Sequence, residues 1–577
     1  MNQTNSIYKS FWRTYACGQL NSNYKDQYVY LSGWVYNIRF QGSIAFVDLR
    51  DRSGIVQLIF FKKENPELFT VVKNITKESV INVGGMIVLR KDINPEMSTG
   101  TIEIAVDKLN ILSESKPLPF DVMNREDGPE ELRHKYRYLD LRSDELQHNL
   151  KIRNSLTSYV RHYMQSYDFL DIETPTLIKS TPEGARDFLV PSRLYKGKFY
   201  ALPQSPQLFK QLLMVAGYDR YFQIARCYRD ESLRGDRQLE FTQIDCEMSF
   251  VAQRDVMTFF SDMMSNMFND ISDIDISQID VISYEQAMTQ FGSDKPDLRW
   301  DKCLETAQKG EYFYTVLYVK DLLSIQNIHS IVEFSDLKKS QMGLNNLYIS
   351  ICDTRHINAG YEFLDNPLKG ESYIVIETKF LDIESAERQF MGDLRNFICK
   401  NMIPMNKEYA PLWVVDFPMF IKDKENGNLT SVHHPFTMPS EYDIDKLNST
   451  DEKVLLSMKS AAYDFVLNGV EVGGGSMRIY NKEIQQRVFD ILKLSKEQQE
   501  DQFGFLLKAF DYGVPPHAGI AFGLDRLCTF FGKSDNIKDY IAFPKNMKAA
   551  DPMCSAPSYI DKAQLIELFL KIEENNI

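Results

Sequence analysis

Five strand-length runs follow one another between residues 28 and 112, and no other feature restricts the fold as tightly. YVYLSGWVYNI (28–38) alternates, with Val29, Leu31 and Val35 on one face. IAFVDL (44–49) and IVQLIFF (55–61) flank Asp51-Arg52-Ser53-Gly54, a hairpin turn signal. VINVGGMIVL (80–89) and TIEIAVDKLNIL (101–112) complete the set. Five strands in so short a stretch point to a small closed barrel over residues 1–112. The OB-fold is the oligonucleotide-binding form of such a barrel. Any other five-stranded β-domain fits the same strands.

Beyond the strands the chain changes character. Residues 113–142 hold prolines, a glycine and many charges, and read as a connector. An amphipathic helix is expected from Asp144 to about Tyr167, with Leu146, Leu150, Leu156, Val160 and Met164 on one face. Asp144 and Glu145 stand in its first turn, where the helix dipole favours anions. Strands and helices alternate to residue 290. Residues 291–410 show short elements and little concentrated chemistry, and residues 411–557 are again dense in motifs. The simplest arrangement is one catalytic domain in two parts, 143–290 and 411–557. An inserted domain would occupy 291–410 and a C-terminal extension 558–577.

Composition sets the outer limits. The 577 residues are 25% charged and 44% hydrophobic, which is globular usage. No apolar run approaches the ~20 residues needed to cross a bilayer, and the N-terminus has no signal-type apolar core. A cytosolic protein without a membrane partner is expected. The net charge of −14 argues against a general DNA or RNA coat, yet permits a partner on one local basic surface. The eight cysteines form no CxxC pair and fit no zinc spacing, so they are expected to be reduced.

Three separated segments carry chemistry. YDFLDIETPTLIKSTPEGARDFLV (167–190) has an extended run with Pro175. FQIARCYRDESLRGDRQLEFTQID (222–245) reads as a hairpin with Arg229, Arg234 and Arg237 near its loop. Planar guanidinium forks suit polyphosphate oxygens, although a solvated charged hairpin reads the same way. The third segment joins GVEVGGGSMRIYN (469–481) to GIAFGLDRLCTFFG (519–532). Glycines there admit close backbone approach to a ligand or simply kink a strand. Arg526 falls at a helix start, where the dipole gives a cation no reason to be.

Taken together the segments resemble motifs 1, 2 and 3 of class II aminoacyl-tRNA synthetases. Pro175 matches motif 1. Arg229, Asp230, Glu231, Arg237, Phe241 and Asp245 match motif 2, and Gly519 to Arg526 match motif 3. Thr181-Pro182-Glu183-Gly184-Ala185-Arg186-Asp187, Gln204 to Lys210, His433-His434-Pro435-Phe436 and Gly473 to Arg478 narrow the resemblance to aspartyl-tRNA synthetases of bacterial type. The resemblance implies an α+β multidomain chain: an OB-fold barrel, an antiparallel class II sheet flanked by helices, and a GAD-like insertion matched by position and size.

What the resemblance implies is specific. Aspartate is activated with ATP and Mg²⁺ and then joined to the 3′-terminal adenosine of tRNA by a homodimer paired through motif 1. Arg229, Glu231 and Arg526 are the catalytic set. ATP would meet Arg229, Asp230, Glu231, Gln238, Phe241, Glu471, Gly523, Leu524, Asp525 and Arg526, with the adenine between Phe241 and Arg526. Aspartate would meet Glu183, Gln207, Lys210, Arg229, Asp245, His433, His434 and Arg478. Lys210 and Arg478 would take its side-chain carboxylate, and Gln207 and Asp245 its ammonium. Asp464 and Glu471 would hold Mg²⁺.

In the barrel, Arg39, Phe46 and Gln57 would read the tRNA anticodon by stacking and base-edge contacts. Read from the residues alone, Phe46 could equally be barrel core, His433 and His434 loop caps, and Lys210 a surface charge. Arg39-Phe40-Gln41-Gly42 leaves open whether asparagine tRNA is also charged. An asparagine- or lysine-activating relative would not need Lys210 with Arg478. A non-catalytic RNA-binding paralogue would be expected to lose motif residues that are present here.

Overall fold

The computed structural model describes residues 9–181, 184–233, 235–309, 312–319, 323–353, 372–378, 384–423, 426–532 and 534–573. The chain divides into two units, Met1–Leu132 and Arg133–Ile577.

In the first unit β1 (Tyr28–Gln41), β2 (Ile44–Asp51), β3 (Gly54–Phe61), β4 (Val80–Leu89) and β5 (Ile102–Ser113) close into a barrel of order β1-β2-β3-β5-β4. Each expected run is a strand, to within three residues at its ends. Alternation carries Val29, Leu31, Ala45, Val47, Leu49, Val56 and Leu58 inside, and closure leaves no free edge. A helix not expected from the pattern, α1 (Pro66–Asn74), joins β3 to β4. The Asn65 side chain caps it, Pro66 opens it, and Phe69 and Val72 bury into the barrel core.

The expected connector 113–142 is not one element. Its first part is fastened to the barrel: Ser115 N donates to Ser79 Oγ at 3.1 Å, and Phe120 and Val122 are buried. Its last part belongs to the second unit. There Arg133 and Arg137 both pair with buried Asp140, at 2.8 and 2.6 Å, and Arg137 donates to the carbonyls of Lys538, Ile541 and Ala542. Charged composition marked this stretch as linker, but buried, ion-paired arginines made it structure.

The second unit is built on eight strands: β6 (Leu170–Asp171), β7 (Arg220–Tyr228), β8 (Glu240–Ser249), β9 (Asp280–Ser283), β10 (Pro411–Val415), β11 (Ala462–Leu467), β12 (Val470–Met477) and β13 (His517–Gly523). Their order is β9-β10-β11-β12-β13-β8-β7-β6. The centre is antiparallel, as expected, but both edge pairs, β9–β10 and β6–β7, are parallel. Two helices cover one face: α2 (Asp144–Ser166) and α4 (Gln253–Ser272), with α3 (Gln207–Val215) packed elsewhere on β8. The Ser143 hydroxyl caps α2. Its buried face runs through Leu146, Asn149, Ile152, Leu156, Val160 and Met164, so Ile152 rather than Leu150 fills the second turn. Ile244, Cys246 and Met248 of β8 meet these helices. The opposite face of β8 is thereby left for polar side chains.

The insertion is an α+β unit. Its antiparallel sheet runs in the order 304–309, 312–319, 372–378 and 349–353. Helices Ile325–Met342 and Ala386–Met402 contribute Ile331, Phe390 and Leu394 to its core. Entry and exit lie side by side: Asn406 N donates to Arg299 O and Trp300 Nε1 to Ile403 O, both at 2.9 Å. The C-terminal stretch holds one short helix, Lys562–Glu567. Cys17, Cys227, Cys246, Cys303, Cys399, Cys528 and Cys554 are free thiols. Among the described residues no helix is long and apolar enough to cross a membrane.

Candidate active site

The polar face of β8 makes the floor of a cleft of about 620 Å³, carrying Phe241, Gln243 and Asp245 at alternate positions. Glu247 continues that face. Lys210, from α3, sets its Nζ 2.6 Å from Asp245 Oδ1 and 3.4 Å from Glu247 Oε2. Arg478, just past β12, sets its Nε 3.0 Å from Glu247 Oε1 and donates from Nη1 to Ser476 Oγ at 2.8 Å. All four charged groups are at most 4% exposed, and two cations offset two anions. Burial raises Asp245 above the usual carboxylate range in spite of Lys210. Burial also opposes the charge on Glu247, yet Arg478 and Lys210 hold that carboxyl below the usual range. The His434 ring packs on Phe436 at 5.0 Å. Burial and the nearby cations Arg478 and Lys210 push it down to about 3, so it is a neutral imidazole. Buried Gln207 lines the same cleft with an Nε2 that has no hydrogen-bond partner.

Lys210 and Arg478 were expected together and are together, but neither waits unpaired. Their shared partner, Glu247, was missed. The signal was present: Glu247 stands two residues beyond Asp245, on the same strand face. It also explains Gly519, directly opposite in the β8–β13 register. A Cβ at Gly519 would lie 1.7 Å from Glu247 Oε2, so this glycine makes room for a carboxylate rather than for an unusual backbone angle. Glu183 lies outside the described residues.

The nucleotide side of the cleft is more open. Arg229, at the end of β7, lies 5.0 Å from the centroid of the Phe241 ring, and its buried Nε has no partner. Glu231 pairs with Arg237 at 2.8 Å. Arg526, on the short helix α5 (Leu524–Thr529), donates to Glu471 O at 2.5 Å and reaches Asp236 Oδ2 at 3.4 Å. Asp230 lies 3.6 Å from Arg186. Three expected ATP residues have side chains with structural contacts of their own. Gln238 bonds both the N–H and the carbonyl of Lys545, Leu524 is core, and Asp525 accepts from Thr242 N at 2.8 Å and pairs with Arg153. Gly523, Gln238 and Asp525 all line the cleft.

Asp464 on β11 and Glu471 on β12 converge beside Gly474. A Cβ there would lie 2.6 Å from Asp464 Oδ1 and 3.6 Å from Glu471 Oε1. His433 Nε2 lies 3.7 Å from Asp464 Oδ1, and Lys295 Nζ 2.7 Å from Glu471 Oε2. Burial raises Asp464, whereas Lys295 overcomes burial and lowers Glu471. Among the described residues no three His, Cys, Asp or Glu side chains cluster as a metal cage. Two carboxylates with room kept between them fit a hard divalent cation whose remaining ligands are phosphate oxygens and water.

In the barrel unit Phe46 is half-buried and outside the core, although its neighbours Ala45 and Val47 are within it. Beside it, Arg39 donates to Asp48 at 3.1 Å and to Gln57 Oε1 at 3.0 Å. Arg90 donates to the same Oε1 at 3.0 Å, and Gln57 Nε2 donates to Glu103 at 2.6 Å. Gln57 is thus buried at the centre of a network, with the outer part of Arg39 exposed above it. Arg90 and Glu103 were not foreseen.

Residues 129–547 match the family model described as class II tRNA synthetases (D, K and N), and residues 29–112 match the OB-fold nucleic acid binding domain. The cleft and its sheet are those of a class II synthetase. An aspartate–tRNA(Asp/Asn) ligase of Dictyoglomus turgidum is 41% identical over 97% of the chain and 98% of the relative. An aspartate–tRNA ligase of Porphyromonas gingivalis is 42% identical over 98% of the chain and all of the relative. Within its class, the chain belongs to the aspartate–tRNA ligases, enzymes that join aspartate to tRNA. The asparaginyl-tRNA synthetase of Pyrococcus horikoshii, solved with asparaginyl-adenylate, shares the fold at a TM-score of 0.59 and 18% identity, over 92% of this chain and 97% of that one.

Proposed function

We propose that the cleft condenses L-aspartate with ATP to aspartyl-adenylate and pyrophosphate, and that the aspartyl group then passes to the 3′ end of tRNA. The observation that supports this most is the buried set Lys210, Arg478, Asp245 and Glu247, with the unpaired Gln207 amide beside it. Lys210 and Arg478 take the substrate's side-chain carboxylate. Asp245 and Glu183, with Gln207, serve its ammonium side, and His433 and His434 close the pocket. Arg229 holds the α-phosphate as charge builds at phosphorus, where a preorganised donor acts best. Glu231 meets the adenine amino group and releases Arg237 to do so. The adenine lies on Phe241, against Arg526.

Asp464 and Glu471 would hold Mg²⁺, which when bound neutralises phosphate charge. Gln238 and Asp525 line the ATP side of the cleft and also brace its wall through Lys545 and Thr242. We further propose a homodimer through the surface around Pro175, where Leu170, Leu177 and Leu189 are exposed, a cytoplasmic location and a GAD-like insertion. Arg39, Phe46 and Gln57 read the anticodon, with Gln57 fixing the direction of Arg39.

Aspartate-dependent ATP–pyrophosphate exchange, run against every amino acid, tests the central claim. Exchange with asparagine or lysine instead, or with none, overturns it. Relatives whose names include tRNA(Asp/Asn) and relatives whose names do not are similarly close, at 41–43% identity. Charging of both tRNAs therefore has to be measured. Phe46→Ala should impair charging and leave exchange unchanged.

A further inference from the structure

The loop that leads from the helix Tyr284–Phe291 into the insertion brings a lysine into the cleft that nothing in the sequence reading assigned. Lys295 lines the same cleft as Arg229, Arg237 and Arg526. Its Nζ lies 2.7 Å from Glu471 Oε2, and its side chain is 38% exposed. The loop beneath it is fixed. Arg299 forks onto Asp297, and Arg395, a fully buried residue of the insertion, donates to Asp297 O at 2.9 Å and Trp300 O at 3.2 Å. Gly469 closes the other side: its φ is +79°, and a Cβ there would lie 3.0 Å from Asp297 Cβ. The ammonium is therefore presented by a braced backbone rather than by a free surface stem.

An ammonium has three N–H donors. Glu471 takes one, and Asp294 Oδ2 lies 4.0 Å away; the cleft's other cations are Arg229, Arg237, Arg526 and Arg478, with Lys210 buried against Asp245 and Glu247. Of those, Arg237 and Arg526 are tied to Glu231, Asp236 and a backbone carbonyl.

We propose that Lys295 is a further nucleotide-binding residue, which holds the β- and γ-phosphate oxygens of ATP and the departing pyrophosphate. Until the nucleotide enters, it covers Glu471. The proposal rests on the reading of the cleft as an ATP site. It adds one residue, from outside the three motifs, on a loop braced by the insertion.

The test compares ATP with AMP, which lacks the two outer phosphates. Binding of each is measured by calorimetry in EDTA, so that no metal takes part, for the wild type, Lys295→Met and Lys295→Arg. Lys295→Met should weaken ATP by about tenfold or more, as expected for one charged hydrogen-bonding partner, and leave AMP nearly unchanged. Lys295→Arg should restore most of the difference. Equal weakening of both ligands means the lysine only props Glu471, and overturns the proposal; so does no change in either. Wild-type pyrophosphate exchange is measured alongside. Exchange present with an unaltered ATP-to-AMP ratio in Lys295→Met sinks Lys295 alone. A wild type that neither exchanges nor binds ATP sinks the reading of the cleft, and this proposal with it.

Discussion

The two halves of the cleft are built on opposite plans. On the aspartate side four charged groups are buried within hydrogen-bonding reach of one another, and their charges cancel. On the proposed ATP side the ion pairs Glu231–Arg237, Asp236–Arg526 and Glu471–Lys295 are partly exposed, and each ties up a group proposed to meet the nucleotide. Exposed pairs contribute at most about 1 kcal/mol each and are readily exchanged for a ligand's charges. A buried pair is costly to break. On the proposed reading, selection of the amino acid rests on a prebuilt pocket, and ATP entry on exchanging pairs.

The sharpest way to break this contrast is Arg478→Leu. It leaves Glu247 buried without its main partner, and such losses cost about 3–5 kcal/mol. Both folding stability and the aspartate-to-asparagine ratio of kcat/KM should fall. Chemical denaturation that shows wild-type stability would mean the set is not load-sharing. Arg229→Ala should do the reverse, with a normal melting temperature and pyrophosphate exchange down on the order of a hundred- to a thousand-fold, as for one lost transition-state donor.

A pH series addresses the imidazole. His434 is held at about 3 in the folded protein against 6.5 in the unfolded chain, so the unfolded state binds the extra proton between those values. Its contribution is complete above pH 6.5 and is lost as pH falls toward 3, at up to about 1.4 kcal/mol per pH unit. Subtracting the His434→Gln profile from the wild type isolates that slope, and parallel profiles would refute it. The smallest effect is expected for Arg237→Ala. Stability should change by less than about 1 kcal/mol, and KM for ATP should move while KM for aspartate does not.

The sequence made some of this legible and concealed the rest for physical reasons. Strand alternation made the five strands legible, because a buried face imposes period two, but left open their closure into a barrel. The motif resemblance located Arg229, Lys210, Arg478 and Arg526. Glu247 was hidden because an acid in a strand reads as solvent-facing until its partners are known. Lys210 and Arg478 are separated from each other by more than 260 positions, and no local pattern links them to it. Gln238 and Asp525 line the cleft as the resemblance implied, but motif membership did not reveal that their side chains also brace its wall through Lys545 and Thr242. Helix α1 escaped notice because one short amphipathic segment between strands carries little periodicity.

The insertion's pinched neck has a consequence for how this chain can be cut. Arg299 and Asn406 are already hydrogen-bonded neighbours, so a short turn joining them would let the sheet close over the excised segment as an ordinary strand–helix–strand crossover. The same excision would remove Arg395 and with it the brace under the 295–300 loop. The segment is a detachable cassette along the chain and a structural prop in space. A trimmed chain should fold, yet it should read its nucleotide less well than the full one.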